Sequence, residues 1–300
     1  MTGTVKCTFA KTSQTSKQHL EKLKQQGLTV ADEPSALRFI SFVGHYRLKG
    51  YWYQLQNSLS KQFDCGTTFD DIVARYECDR ELRALILEGV GQLEVAVRAT
   101  ICNQLSAKHT PHWFLNPSIF KPSRDWGYAK MLSKIENEVN QSKLKRFISS
   151  YYEKHDDPYM PPSWAMSECV TLGLWSRTYA ILRNPSDKKE ISSKFRINKV
   201  GVFESWLHTL SVLRNMAAHH DRFLDTKLGV SPQNYKARNI RFSDNKTVYS
   251  ALTMMHILLE SMHSGSAFKS KIIDFKERHG SEIMQLLRFP KDWPTGEAGW

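Results

Sequence analysis

Between Leu82 and Leu105 the apolar residues Leu82, Leu85, Ile86, Val90, Leu93, Val97, Ile101 and Leu105 recur every three or four positions. That spacing gives a helix one continuous apolar face and demands a core for the face to pack against. The helix is predicted to open after the cap signal Thr68-Phe69-Asp70-Asp71 and to run, alone or as a helix pair, to about Ala107. The same period returns in Phe203, Trp206, Leu207, Leu210 and Leu213. It appears again in Leu252, Met255, Leu258 and Leu259, and in Phe268, Ile272, Phe275, Ile283, Leu286 and Leu287. Strand signals are few, so the expected class is all-α, a multi-helix bundle.

The remaining stretches are read around this frame. Residues 1 to about 15 are small and polar and read as a flexible arm. Ser16 to Gly27 reads as a short helix closed by its glycine, with Lys6, Lys11 and Lys17 along the way. Another helix is predicted to open near Glu33-Pro34-Ser35 and lead into Tyr46-Arg47-Leu48-Lys49-Gly50-Tyr51-Trp52-Tyr53. Two readings of that block stand: aromatics that stack bases while Arg47 and Lys49 hold phosphates, or aromatics turned into the core with the cations reaching outward. Asp79 with Arg83, and Glu94 with Arg98, have i, i+4 spacing typical of a solvated helix face.

The turn residues between His109 and Asp125 predict a surface connection, after which helical spacing resumes from Tyr128 through Leu144 to Ile148 and breaks at Pro158 to Pro162. Trp164, Met166, Val170, Leu172, Leu174 and Trp175 then predict a buried helix carrying Glu168, a carboxylate needing a partner such as Arg177 or Arg214. Asn184 to Lys189 reads as a turn. Asp225 to Lys246 reads as a loop, basic through Lys227, Lys236, Arg238 and Arg241 and equally suited to guiding RNA or to plain solvation. The expected division is an arm with a short helix (1–30), one helical domain (31–288) and a tail (289–300).

Lysine and arginine exceed aspartate and glutamate by 42 − 30 = 12, a balance that favours a polyanionic partner, above all nucleic acid. The five cysteines are scattered and never form a CxxC pair, which argues against a disulfide framework and against zinc and fits a reducing cytoplasm. The N-terminus lacks the apolar segment of a signal peptide, and no stretch approaches the roughly 18 uninterrupted apolar residues of a membrane span. No cofactor motif is present; neither a cofactor, a metal nor a membrane partner is expected.

The chemistry concentrates in Leu213-Arg214-Asn215-Met216-Ala217-Ala218-His219-His220-Asp221-Arg222-Phe223. Histidine exchanges protons near neutral pH, and arginine is a permanent cation whose fork matches phosphate oxygens. Together, without a carboxylate cluster, they suit metal-free cleavage of a phosphodiester through the RNA 2′-hydroxyl. The same residues near a helix C-terminus also serve as caps and dipole partners. On an unbroken helix Arg214 and His219 would point about 140° apart, whereas Asn215 and His219 share a face. The two meet only through the long arginine side chain, a break in the helix or a second subunit. His220-Asp221 is a poor metal pair, because adjacent helical residues diverge.

The spacing of Arg214, Asn215 and His219 resembles the R-x4-6-H motif of HEPN-superfamily ribonucleases. A wider set of ordered blocks is similar to the Abi-like (abortive infection, AbiD/AbiF-type) family. The blocks are Tyr46 to Tyr53; Phe69-Asp70-Asp71-Ile72 with Tyr76 to Arg83; Leu93 to Arg98; Pro162-Ser163-Trp164 with Glu168 and Leu172-Gly173; and Leu213 to Arg222. The ending Phe289-Pro290-Lys291-Asp292-Trp293-Pro294 is reminiscent of the same family. The resemblance implies a HEPN-like bundle with additional N-terminal helices and a metal-independent endoribonuclease used as a toxin or anti-phage effector. It implies His219 as general acid/base, Arg214 as phosphate clamp and Asn215 as a positioning or phosphate-contacting group. His220 is an alternative base, and Glu94, Arg98 and Glu168 are supporting polar groups. It further implies a homodimer with two Arg-His sets facing each other, and a possible antitoxin or regulatory partner. The other reading is a non-catalytic module that holds a structured non-coding or phage RNA.

Overall fold

In the computed structural model the structure describes residues 8, 10, 12–262, 265–291, 293 and 300, without the Ser266 side chain. Lys6 and Lys11 of the predicted arm, and Asp292 and Pro294 of the tail, lie outside the described residues. Helices occur in the order α1 (Ser16–Gln25), α2 (Glu33–Val43), α3 (His45–Trp52), α4 (Phe69–Lys108), α5 (Tyr128–Gln141), α6 (Arg146–Lys154), α7 (Ser163–Met166), α8 (Leu172–Ile181), α9 (Pro185–Lys194), α10 (Val200–Ala218), α11 (Val248–Glu260) and α12 (Gly265–Leu286). Among the described residues there is no strand beyond isolated bridges, and the protein is all-α. Among them, too, no helix is long and apolar enough to cross a membrane.

The chain divides into two compact units, Met1–Arg80 and Glu81–Trp300, with the boundary inside α4. In the first, Thr15 and Gln18 cap α1 reciprocally, and Gly27 ends it at φ 91°. Leu28 N–H there reaches Leu23 O and Gly27 N–H reaches Lys24 O, the pairing of a Schellman motif. Asp32 caps α2 by accepting from Ser35 N–H at 2.9 Å. The aromatic block turns into the core only in part. Tyr51 and Trp52 are buried, whereas Tyr46 is 91% exposed beside the exposed Phe42 and Lys49. Asp79, expected on a solvated face, is buried and accepts from the Tyr51 hydroxyl at 2.8 Å.

In the second unit the predicted apolar stripe of α4 is buried at Leu82, Ile86, Val90, Leu93, Val97, Ile101 and Leu105. α10 packs against α8, α9 and α11, and its Phe203, Trp206, Leu207, Leu210 and Leu213 are fully buried. Each such side chain contributes roughly 1.5–3 kcal/mol of transfer free energy, an upper range for a compact unfolded chain. α11 is buried on all sides from Val248 to Leu259, which is why its composition is apolar throughout rather than amphipathic.

Several expectations are corrected here. The connection from 109 to 125 does not stay on the surface: Trp113, Phe114 and Phe120 are buried, and Lys121 N–H bonds to Ile181 O at 2.8 Å. Its prolines shape short 3-10 turns that turn aromatics inward. The turn read at Asn184-Pro185 is the start of α9, with Asn184 as N-cap and Pro185 at the first helical position. The helical run through Leu144 is two helices, and Leu144, 99% exposed, lies between them. The buried helix expected around Glu168 is the short α7, a turn, and then α8; Glu168 lies in the turn with its side chain 51% exposed.

Candidate functional site

The polar motif falls where α10 stops. Ala218 is its last residue and His219 its C-cap, whose N–H still donates to Asn215 O at 2.9 Å, so Asn215 and His219 keep one face and the separation of about 140° from Arg214 persists. Asp221 N–H donates to Met216 O at 2.8 Å and His220 N–H to Ala217 O at 3.2 Å, another Schellman pairing with His220 where α1 has glycine. His220 accordingly has φ 60°. Arg196 after α9 and Arg288 after α12 sit the same way, so the left-handed backbone at His220 is a capping device shared by three helix ends and is not itself a mark of catalysis. Its effect is positional: it turns the chain sharply and leaves Asn215, His219 and His220 exposed. The buried Phe223 and Leu224 re-anchor the chain immediately afterwards.

α4 supports this end of α10. Arg83, buried at 4% exposure, donates through Nη1 to Asp221 O at 3.4 Å, a long hydrogen bond that ties down the turn. Arg83 therefore does not lie on the solvated face its spacing implied. Among the described residues Glu94 and Arg98 do not pair with each other as i, i+4 neighbours. Glu94 Oε2 stands 3.9 Å from Arg214 Nε, and Arg98 Nη2 lies 3.1 Å from Glu168 Oε2. The partner of Glu168 is thus Arg98, not Arg214, while Arg177 lies over the Trp126 ring at 4.7 Å. The four charges Arg214, Glu94, Arg98 and Glu168 alternate in sign, with the middle two one turn apart on α4. Arg98 Nε is buried without a hydrogen-bond partner among the described residues.

The structure thus brings Glu94 to Arg214 and joins Arg98 to Glu168. Among the described residues it shows no hydrogen bond between Arg214 and His219. Arg214 remains 40% exposed, so its guanidinium faces both Glu94 and solvent. Of the basic positions, Arg47 and Lys49 belong to α3 in the first unit. Lys236 and Arg238 occupy a single 3-10 turn, while Lys227 and Arg241 line a pocket beyond the motif. The loop carrying those four is anchored: Leu228, Tyr235 and Ile240 are buried, and Trp206 Nε1 donates to Gln233 O at 2.9 Å. Sequence reasoning missed the other residues of that pocket, and it missed Asp187, which is buried with Lys108 Nζ at 2.7 Å and His109 Nε2 at 3.0 Å. Among the described residues no group of three or more His, Cys, Asp or Glu side chains stands close enough to hold a metal ion.

The groups sit on α4, at and just past the end of α10, and in the turn after α7, so the site belongs to an all-α protein in which one long helix supports the end of another. Residues 38–225 match the family model described as Abi-like protein, a span that takes in the motif and stops at Asp225. The chain belongs to the Abi-like family, which associates it with abortive infection and defence. No curated protein and no solved structure matches it.

Proposed function

We propose that this protein is a metal-independent endoribonuclease of the HEPN type, acting as a toxin or abortive-infection effector. The observation that carries the reading is the end of α10. There a half-exposed arginine, with a carboxylate from α4 at 3.9 Å, is followed directly by an exposed face made by Asn215 and His219. In the proposed reaction the RNA 2′-oxygen attacks the adjacent phosphorus and the bond to the 5′-oxygen breaks. His219 transfers protons between these oxygens, and Arg214 stabilises the charge that builds on the phosphoryl group. Asn215, on the His219 face, contacts or positions the phosphate, and His220 is the alternative base. Glu94, with the Arg98–Glu168 pair beside it, orients Arg214. A second copy of the chain would place two Arg-His sets opposite each other and supply both proton roles.

Each unit by itself offers a surface to RNA: in the first, Arg47 and Lys49 beside the exposed Phe42 and Tyr46, whose rings are free to stack on bases; in the second, Lys227, Lys236, Arg238 and Arg241. The same exposed aromatics favour a second reading, a module that binds a structured RNA without cutting it. The test is cleavage of RNA with EDTA present by wild type, Arg214→Ala and His219→Ala, with end analysis and light scattering for the dimer. Products with a 2′,3′-cyclic phosphate and a 5′-hydroxyl, and loss of roughly 10²–10⁴-fold in His219→Ala, are expected. Undiminished cleavage in His219→Ala refutes the assignment. Absence of cleavage, with equal salt-dependent binding in all three proteins, selects the binding module.

A further inference from the structure

Beyond the motif the second unit holds a pocket of about 550 Å³, within the roughly 300–1,000 Å³ of small-molecule sites. It is formed by the segment leaving the motif, the basic loop, the first turn of α11 and the end of the chain. All of it except Asp225 lies outside the stretch that matches the Abi-like family. Four cations line it: Lys227, Arg241, Lys246 and Arg288. Its two acids are engaged, Asp225 by Arg288 at 3.2 Å and Asp244 by Lys227 at 3.4 Å. The Lys246 backbone N–H also holds the Asp244 carboxyl below the usual carboxylate range. Among the described residues of the lining the four cations outnumber the two acids by 4 − 2 = 2, and neither Arg241 nor Lys246 forms an ion pair, although the Lys246 charge also acts on Asp244. A phosphate monoester carries about −1.5 to −2 at neutral pH, so the charge is complementary.

Four aromatic residues also line it. Phe242 and Tyr249 meet edge to face at 6.2 Å, as do Trp293 and Trp300 at 5.3 Å. A cavity of this size with an unneutralised cationic side and aromatic walls fits a ligand that carries a flat heterocycle and a phosphate together.

We propose that this pocket binds a nucleoside phosphate, with Arg241 and Lys246 on the phosphate and the aromatic walls on the base. The nucleotide can be free or one unit of an RNA strand; neither source depends on whether RNA is cut. The experiment titrates full-length protein with AMP, UMP, adenosine, inorganic phosphate and a short 5′-phosphorylated RNA. It is followed by calorimetry and by tryptophan fluorescence, since Trp293 and Trp300 line the site.

A mononucleotide is expected to bind at least tenfold more tightly than adenosine or inorganic phosphate. The double variant Arg241→Ala/Lys246→Ala, both positions exposed, is expected to weaken it about tenfold or more with an unchanged melting curve. RNA that competes with AMP places a strand nucleotide in the pocket, and AMP binding that RNA does not displace makes the ligand free nucleotide. His219→Ala should bind as wild type does, which separates failure here from failure of the nuclease reading. No binding of either mononucleotide, or binding indifferent to the double variant, overturns the proposal.

Discussion

Gly89 and Gly91 lie two residues apart in α4, and replacing each by alanine should move stability in different ways. Alanine is favoured over glycine in a helix interior by about 0.8–1 kcal/mol, and both variants receive that gain. At Gly91 an added Cβ meets nothing within 4 Å, and the position is exposed, so the gain is kept. At Gly89 the Cβ would lie 2.8 Å from Met255 Cε, 3.3 Å from Phe268 Cε2 and 3.5 Å from Leu259 Cδ1. The Met255 tip is flexible, but Met255 and Leu259 are fully buried and Phe268 nearly so, and a close-packed interior offers little room to move into. Overpacking of this kind costs about 1–3 kcal/mol. Because the helix term is common to both, the difference between the two variants isolates the overpacking. Gly91→Ala should melt about 2–4 °C above wild type, and Gly89→Ala about 2–12 °C below Gly91→Ala, for a unit of this size. Thermal melts checked by urea unfolding measure it. Equal stability of the two variants would refute the close approach of α4 to α11 and α12, and with it the bracing that places Glu94 and Arg98 a few residues further on.

Two further outcomes concern titration. In the first unit the His19 and His45 rings stack at 3.7 Å, and burial, then His19, Lys22 and Lys49, push the His45 imidazole down to about 4. Packed, it is neutral, while the unfolded chain titrates near about 6.5. Its contribution is complete above about pH 6.5, is lost as pH falls toward 4, and amounts to on the order of 1–2 kcal/mol after allowing for solvent screening. Urea midpoints at pH 7 and 4.5 should show this loss in wild type and a smaller one in His45→Gln. In the second unit burial alone would raise the Asp187 carboxyl, but the ion pair with Lys108 and the hydrogen bond with His109 outweigh it and hold it below the usual range. That stability is present above about pH 4 and lost as pH falls further. Asp187→Asn should lower stability at pH 7 by about 1–3 kcal/mol in urea unfolding, and an unchanged midpoint would contradict the pairing.

Local chemistry made the helical frame legible. The stripe from Leu82 to Leu105, the apolar face of α10 and the glycine end of α1 depend on residues a few positions apart, whose periodicity and caps act the same way in any surroundings. The motif itself was legible for the same reason, because Arg214, Asn215 and His219 are neighbours in sequence. Tertiary structure decided whatever depends on distant partners. Punctuation by proline and glycine does not reveal that Trp113, Phe114 and Phe120 turn inward, since burial is set by helices far along the chain. Glu168 looked embedded among apolar neighbours, yet a break between α7 and α8 leaves it half in solvent beside Arg98. No spacing rule could assemble Lys227, Arg241, Lys246, Arg288 and Trp300 into one pocket, for they come from separate turns that meet only when α10, α11 and the end of the chain pack together. The sequence by itself determined an all-helical class and one polar helix end; only folding brought α4's charges to that end and gathered cations and aromatics around a cavity, because such groupings are made by packing rather than by local preference.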